Sequence, residues 1–419
     1  MLPPVAFESN QLLLGTVCSG TDAPAHALQH CYPEVDVRLV VSCDCCPLSS
    51  SFIKSNFLGE HFYKDLGHLA SSSAECTSCG QRCSAYLETE LDLLVGGFPC
   101  KPFSVLSQRR WKGNLFKNRD ARVFFKITQL LRTWPKKPKT FILENVLGLA
   151  KVPQGGCPQD APLHFVLWGV DGKHEWGLKL LPDYHVTVHF QSASHFGLPH
   201  HRMRIWFTGV RRDIHTERMA RRISSNFALI QSTPIKQAHL DNFINAQDDV
   251  PSVMPVKKKA RKQHMPEASL ALSARFRKQH GLPAYGDRKG HPFSNSLGSD
   301  FRAKFSCREL DLVDCAVLWA NKKYQGDPPK LTIDVSQGLS RMPWTSGGRV
   351  RTMSTQTKLL HGDTLVNVKD RFRMMGWKVD KLVFPSLTES QFQQLLGNSM
   401  AVPTVGAVQM ALLSAVFPA

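Results

Sequence analysis

The chain has 419 residues, 42% of them hydrophobic and 21% charged, an ordinary globular composition that excludes a collagen-like, wholly disordered or repeat protein and leaves room for two cores. Lys and Arg total 52 against 34 acidic residues, a formal charge of +18. That excess predicts a polyanionic partner, because phosphates are where so much positive charge gains free energy.

The opening MLPPVAFESNQLLLG lacks a basic n-region and a sustained apolar stretch, which predicts no signal peptide. QLLLGTV (11–17) reads as a strand ending in the turn-rich CSGTDAP, and Pro24 suits the first turn of a helix through AHALQH. VRLVVSCD (37–44) is a second strand, followed by a helix from Pro47 to Phe57. LDLLVGGFPC (91–100) is a third, and ARVFFKITQLLRTW (121–134) has helical spacing of its apolar residues. TFILENV (140–146), YHVTVHF (184–190) and RMRIWFTGV (202–210) complete the series. Such alternation predicts an α/β fold with a doubly wound, mostly parallel sheet.

After Val210 the apolar periodicity weakens and basic residues crowd in, as in PVKKKARKQ (255–263) and SARFRKQHG (273–281). A second domain is therefore expected over 211–350, with 1–210 forming the first. VKDRFRMMGW (368–377) and FQQLLGNSMAVPTVGAVQMALLSAVF (392–417) read as packed helices, so 351–419 is expected to return to the first domain. No apolar run approaches the roughly 20 residues of a membrane span. With only twelve cysteines in this length, the expectation is a soluble protein of a reducing compartment with no membrane partner.

In an open parallel sheet, ligands bind beyond the carboxyl ends of the strands. Four of the expected strands end in polar residues: Ser19-Gly20-Thr21-Asp22, Asp44, Pro99-Cys100 and Glu144-Asn145. One such residue is commonly a cap or turn former, whereas four at one sheet edge indicate a site. Cys100, in GGFPCKPFS, is either a small buried hydrophobe or a nucleophile on a rigid Gly- and Pro-flanked loop. Glu144, which directly follows three apolar residues, either caps a turn or is an acid of raised pKa suited to proton donation.

These segments resemble the cytosine-5 DNA methyltransferases, which depend on S-adenosylmethionine. GGFPCKPFS is similar to the family's Pro-Cys loop and FILENV to its Glu-Asn-Val motif. PHHRMR (199–204) is similar to its Arg-x-Arg motif, LLGNSMAVP (395–403) to its Gly-Asn motif, and VKDRFRMMGW to the segment preceding that. The ordered motifs run from about residue 14 to 403, with the middle domain unmatched.

The resemblance implies a class I methyltransferase fold with a smaller target-recognition domain, 211–350, inserted before the C-terminal helices. It implies that the Cys100 thiolate attacks cytosine C6, that Glu144 contacts N3 and the exocyclic amine, and that Arg202 and Arg204 hold the base carbonyl and the catalytic loop. The base must leave the duplex to be reached. For the cofactor it implies Ser19, Gly20 and Thr21 around the methionine end and Asp44 on the ribose hydroxyls. Asp65 of YKDL would meet the adenine amine with Leu66 beside the ring, Gly97 and Pro99 would lie under the sulfonium, and Asn398 and Ser399 would close the pocket.

The family's Phe-x-Gly-x-Gly is here Cys18-Ser19-Gly20-Thr21-Asp22, so the adenine-packing aromatic and the second glycine are missing, which implies either weaker cofactor affinity or compensation by another aromatic. Lys101 stands where Gln is common, and His200 replaces the usual Gln before Arg202. Duplex DNA with a flipped cytosine is the expected partner. RNA is the nearest alternative, since one lineage of the family modifies transfer RNA with the same motifs, although its Cys-Phe-Thr signature is not apparent here. A non-catalytic DNA-binding relative is the third reading. PVKKKARK also resembles a nuclear-localisation segment, which points to the nucleus in a eukaryote and the cytoplasm otherwise.

Cys76, Cys79 and Cys83 form a C-x2-C-x3-C pattern whose spacing suits zinc. A structural site needs a fourth ligand, and none is apparent next to them; His68 or another cysteine could supply it. The alternative is a loop insertion with free thiols, and the sequence alone assigns no metal.

Overall fold

The fold is that of a computed structural model, which describes residues 2, 4–7, 10–69, 75–83, 88–105, 118–169, 176–233, 235–245 and 264–419. The basic run at 255–263 lies outside the described residues. Seven strands form the main sheet: β1 (Gln11–Val17), β2 (Asp36–Cys43), β3 (His61–Tyr63), β4 (Leu93–Gly97), β5 (Thr140–Val146), β6 (Tyr184–Ser192) and β7 (Met203–Arg211). Their order is β3-β2-β1-β4-β5-β7-β6. All neighbours are parallel except β7, which runs antiparallel to both β5 and β6.

Side-chain alternation divides each strand between two cores. Leu93, Val95, Ile142 and Trp206 face one core with the helices Ala23–Cys31 and Val402–Val416, while Leu94, Phe141, Leu143, Ile205 and Phe207 face the other with the helix Arg122–Thr133. Covered on both faces, the central strands read as continuous apolar runs, and this made them visible in the sequence. β3 escaped notice because it has three residues and occupies the edge.

A second unit packs the helices Glu267–His280 and Cys307–Lys323 against a four-stranded sheet of β8 (Leu331–Asp334), β9 (Trp344–Ser346), β10 (Leu359–His361) and β11 (Thr364–Leu365). Its helices are tied by a buried ion pair, Arg277 to Asp311 at 2.7 Å, with the Ser273 hydroxyl donating to the same carboxylate.

Both expected domain boundaries shift. The helix Glu217–Ser232 belongs to the first unit, because buried Asn226 donates to the Ala411 carbonyl and to Ser414 in the C-terminal helix. At the other end, β10 and β11 lie beyond 350 yet complete the second sheet, so the chain returns only near the helix Val368–Met374. The tail also corrects the absence of a span-length apolar run. The stretch Glu389–Val416 is long and apolar enough to cross a membrane by composition, but 78% of its apolar window is buried inside the protein. It is core, divided between two helices at Ser399–Ala401.

Candidate active site

The chain leaves β1 to build β2 and β3 on one side, then returns to build β4 and β5 on the other, so a crevice opens beyond the ends of β1 and β4. The first wall is the turn after β1. Cys18, Gly20 and Asp22 all adopt left-handed backbone, with φ of 51°, 59° and 56°. This curls the turn so that the Gly20 amide donates to Asp44 Oδ2 at 2.8 Å, and the Cys46 amide donates to Asp44 Oδ1 at 2.8 Å. Asp44, just past β2, is thereby fixed; burial pushes its carboxyl up while those two amides pull it down. The Ser19 hydroxyl lies 2.9 Å from that of Thr16 and accepts from Ser42.

Asp22 occupies the position of the missing glycine. It is fully buried, accepts from the Ser42 hydroxyl at 2.8 Å, and has no partner for Oδ1 among the described residues. Burial raises its carboxyl to about 7.

Asp65 and Leu66 follow β3. Asp65 accepts from the Gly67 amide at 2.6 Å and pairs with Lys126 at 3.1 Å, half exposed, while Leu66 is buried. From the opposite end of the chain, Ser399 Oγ meets Thr21 Oγ1 at 2.7 Å. A side chain on Gly97 would come 3.0 Å from Met400 Cε and 3.4 Å from Glu144 Oε2. Glycine there lets Met400 and Glu144 approach the backbone closely. Asn398 is exposed, and its carbonyl is the atom nearest the face of Gly20.

Cys100 lies three residues past β4, on a turn closed by the Phe103 and Ser104 amides donating to its carbonyl at 2.9 and 2.8 Å. Buried Asn145 on β5 donates to the Phe98 carbonyl at 2.9 Å and so ties this loop to the neighbouring strand. Gly97 pairs in register with Glu144. Glu144 is held in turn by Arg204 of β7, Nε to Oε1 at 2.6 Å, with both side chains nearly buried. Burial pushes the Cys100 thiol up, and the Arg204 guanidinium is the strongest counter-influence, pulling it down.

Arg202 is tied to backbone on either side of it. Only 4% exposed, it donates to the carbonyls of Met353, Gly397 and Ser399 at 3.0, 3.1 and 2.7 Å. These bonds tie Arg202 to the tail, while its buried Nε has no partner among the described residues. Arg204 gives Nε to Glu144 and Nη1 to the Met203 carbonyl. His200 is buried, its Nε2 3.0 Å from the Met374 carbonyl. Burial, with Arg202 adding repulsion, lowers it to about 3, so it is a neutral packing group.

Asp22 and Asn145 stand where the strand-end pattern put them, whereas Met400 was not singled out from sequence as part of this crevice, and an isolated Met carries no signal of its own. The three cysteines at 76, 79 and 83 do meet a fourth ligand-type residue, which is His61 of β3; His68 is not in that group.

Residues 62–414 match the C-5 cytosine-specific DNA methylase family. The type II methyltransferase M.NgoBV of Neisseria gonorrhoeae is 27% identical over 177 residues, covering 40% of this chain and 35% of that protein. M.HaeII of Haemophilus aegyptius is 31% identical over 162 residues, covering 38% and 41%. The chain thus spans less than half the length of these curated relatives. Among solved structures, a prophage-encoded protein of E. coli assigned to the DNA modification methyltransferases superposes with a TM-score of 0.52 at 13% identity, covering 96% of this chain and 98% of that one, a likeness of fold.

Proposed function

The chain belongs to the C-5 cytosine-specific DNA methylase family, and we propose from that premise that it transfers a methyl group from S-adenosylmethionine to C5 of a flipped-out cytosine in DNA. The observation that carries the reading is the junction of β4 and β5. There a loop-borne thiol and an arginine-held carboxyl share one end of the sheet beside Gly97.

The crevice fits the cofactor in chemistry as well as shape. Asp44 presents carboxylate oxygens suited to ribose hydroxyls, Leu66 an apolar surface and Asp65 an acceptor for an adenine amine; the Gly97 cradle leaves room at the sulfonium. Ser19, Gly20 and Thr21, with Ser399 across from them, border the methionine end. When bound, the cofactor supplies an activated methyl group.

The protein's own residues do the rest. The Cys100 thiolate forms a bond to C6, which makes C5 electron-rich, since cytosine C5 is by itself too poor a nucleophile. Glu144 would meet N3 and the exocyclic amine as charge develops there, and Arg204 fixes its orientation. Once C5 is methylated, a base removes the C5 proton, the S–C6 bond breaks and the thiolate is restored. The second unit, in the place of the recognition domain, would contact the duplex and oppose its phosphates with basic residues.

Tritiated S-adenosylmethionine offered with duplex DNA or transfer RNA, beside a Cys100→Ala control, tests this reading. Label in DNA as 5-methylcytosine, only with Cys100 intact, is the expected result. Label confined to RNA would overturn the substrate, and no label on either nucleic acid together with no cofactor binding would favour a non-catalytic relative.

A further inference from the structure

We propose that His61, Cys76, Cys79 and Cys83 bind a structural zinc ion at the outer edge of the main sheet. His61 Nδ1 or Nε2 and the three Sγ atoms lie within 4.8 Å of one another. Cys79 Sγ is 3.7 Å from Cys83 Sγ, and Cys83 Sγ is 3.2 Å from His61 Nδ1. A tetrahedral ion with Zn–S of about 2.3 Å and Zn–N of about 2.0 Å has ligand-to-ligand edges of about 3.5–3.8 Å. The measured separations sit near those edges and far from the roughly 2.05 Å of a disulfide.

The local sequence builds this arrangement. In Cys76-Thr77-Ser78-Cys79-Gly80 the Gly80 amide donates to the Cys76 carbonyl at 2.9 Å, and the Cys76 amide donates to the Gln81 carbonyl at 2.9 Å. Gly80 takes φ of 67°, with nothing within 4 Å of an added Cβ, so glycine is needed there for backbone conformation and not for space. The tight turn brings Cys76 and Cys79 to one side, and the Glu75–Arg82 bridge carries the chain back so that Cys83 joins them.

The knuckle is sewn to the sheet. The Thr77 amide donates to the Phe62 carbonyl at 2.8 Å and the Tyr63 hydroxyl to the Cys83 carbonyl at 3.0 Å, while Lys54 reaches the Thr77 carbonyl at 2.9 Å. Cys76 is fully buried, yet Cys79 is exposed, where apolar packing gives a thiol no reason to be. The other close group among the described residues is His239, Asp241 and His361; there Lys330 already pairs with Asp241 at 2.8 Å, so a cation is supplied by the protein.

Binding would release the thiol protons and leave three thiolates and a neutral imidazole around the ion. The ion would thereby fasten a remote loop to β3, a three-residue strand at the edge of the sheet beside β2. Asp65 and Leu66 follow β3 directly, so a further consequence, resting on the proposed cofactor site, is that the metal steadies the adenine end.

The test is elemental analysis of untagged full-length protein purified without chelator. About one zinc per chain is expected, falling at least tenfold in Cys79→Ser and in His61→Ala, while Cys157→Ser, at an exposed cysteine elsewhere, keeps its metal. Should the ligand variants fail to fold, release of zinc from the wild-type protein by a mercurial, followed with a colorimetric chelator, reports the same stoichiometry. Zinc stripping is expected to lower the melting temperature by several degrees, and re-addition to restore it. Metal-free protein whose melting temperature ignores both zinc and chelator would overturn the proposal. So would a Cys79–Cys83 disulfide in protein kept under reducing conditions, or zinc that survives both substitutions. None of these readouts depends on methyl transfer.

Discussion

Replacing Asp22 by asparagine isolates what it costs to bury an acid in the first cofactor loop. Burial raises this carboxyl from 3.8 to about 7, against the opposing hydrogen bonds from Ser42 and Thr16 and with the Asp44 carboxylate adding to the rise. Below pH 3.8 the folded and unfolded chains both hold the proton, and no penalty exists. Between that pH and about 7 the unfolded chain ionises while the folded one does not, so stability falls as pH rises; above about 7 the loss is complete and constant. The gap corresponds to roughly 4 kcal/mol, of which about 3 develops above pH 5. Urea unfolding of the wild type and Asp22→Asn from pH 5 to 8.5 measures it, because subtracting the two curves cancels every other titrating group. Asparagine keeps an acceptor for the Ser42 hydroxyl and cannot ionise. The variant is therefore expected to gain on the wild type by about 3 kcal/mol from pH 5 to pH 8 and then level off. A difference that does not change with pH would refute both the burial of an ionisable Asp22 and its raised pKa.

Three other substitutions probe the crevice. Arg204→Ala removes the partner of a nearly buried carboxylate and should cost about 2–4 kcal/mol in urea unfolding. Because Arg204 also pulls the Cys100 thiol down, the rising limb of the pH–rate profile should move to higher pH in the same variant. Arg202→Lys keeps the charge but loses the fork that reaches three carbonyls; calorimetry should show cofactor affinity reduced about tenfold, with kcat falling less. Gly97→Ala puts a methyl group against Met400 and Glu144, and equilibrium dialysis should show cofactor binding weakened at least tenfold while the melting temperature moves by only a few degrees.

The main sheet was legible because its central strands are short apolar runs bounded by turn residues. β1 and β5 were placed to the residue and β2, β4, β6 and β7 to within a few. β3 was not, since three residues at an edge leave no period to read. Cys100 and Glu144 were legible as strand-end residues and in motif order, and the structure brings their segments together. The partners of Arg202 were not, because they are backbone carbonyls, which no sequence pattern displays. His61 was missed for a related reason. It lies fifteen positions before Cys76, and only the return of the chain along β3 brings it to the cysteines. The boundary at 210 failed because a basic, amphipathic helix looks alike whether its apolar face meets its own domain or another; only the apolar C-terminal helix against it decides.

The reversed direction of β7 explains how motifs from such different places act at one edge. The candidate site residues of β1, β2, β4 and β5 lie at or beyond the carboxyl ends, as an open parallel sheet requires. Arg204 lies near the start of its strand, but β7 is antiparallel to β5, so its start meets the end of β5: Arg204 pairs in register with Val146, two residues past Glu144. The segment leading into β7 is also where the second unit is fastened, by the Val350 amide donating to the Pro199 carbonyl at 2.8 Å and the His201 amide donating to the Val350 carbonyl at 3.3 Å. Arg202 then links this segment to Met353 and to the 397–399 turn, whose Ser399 meets Thr21 of the first loop. A single strand start thus carries the orienting arginine, the anchor of the second unit and the clamp on the tail. The second unit is therefore linked, through a few hydrogen bonds, to the strand that holds Glu144 and to the Thr21–Ser399 contact.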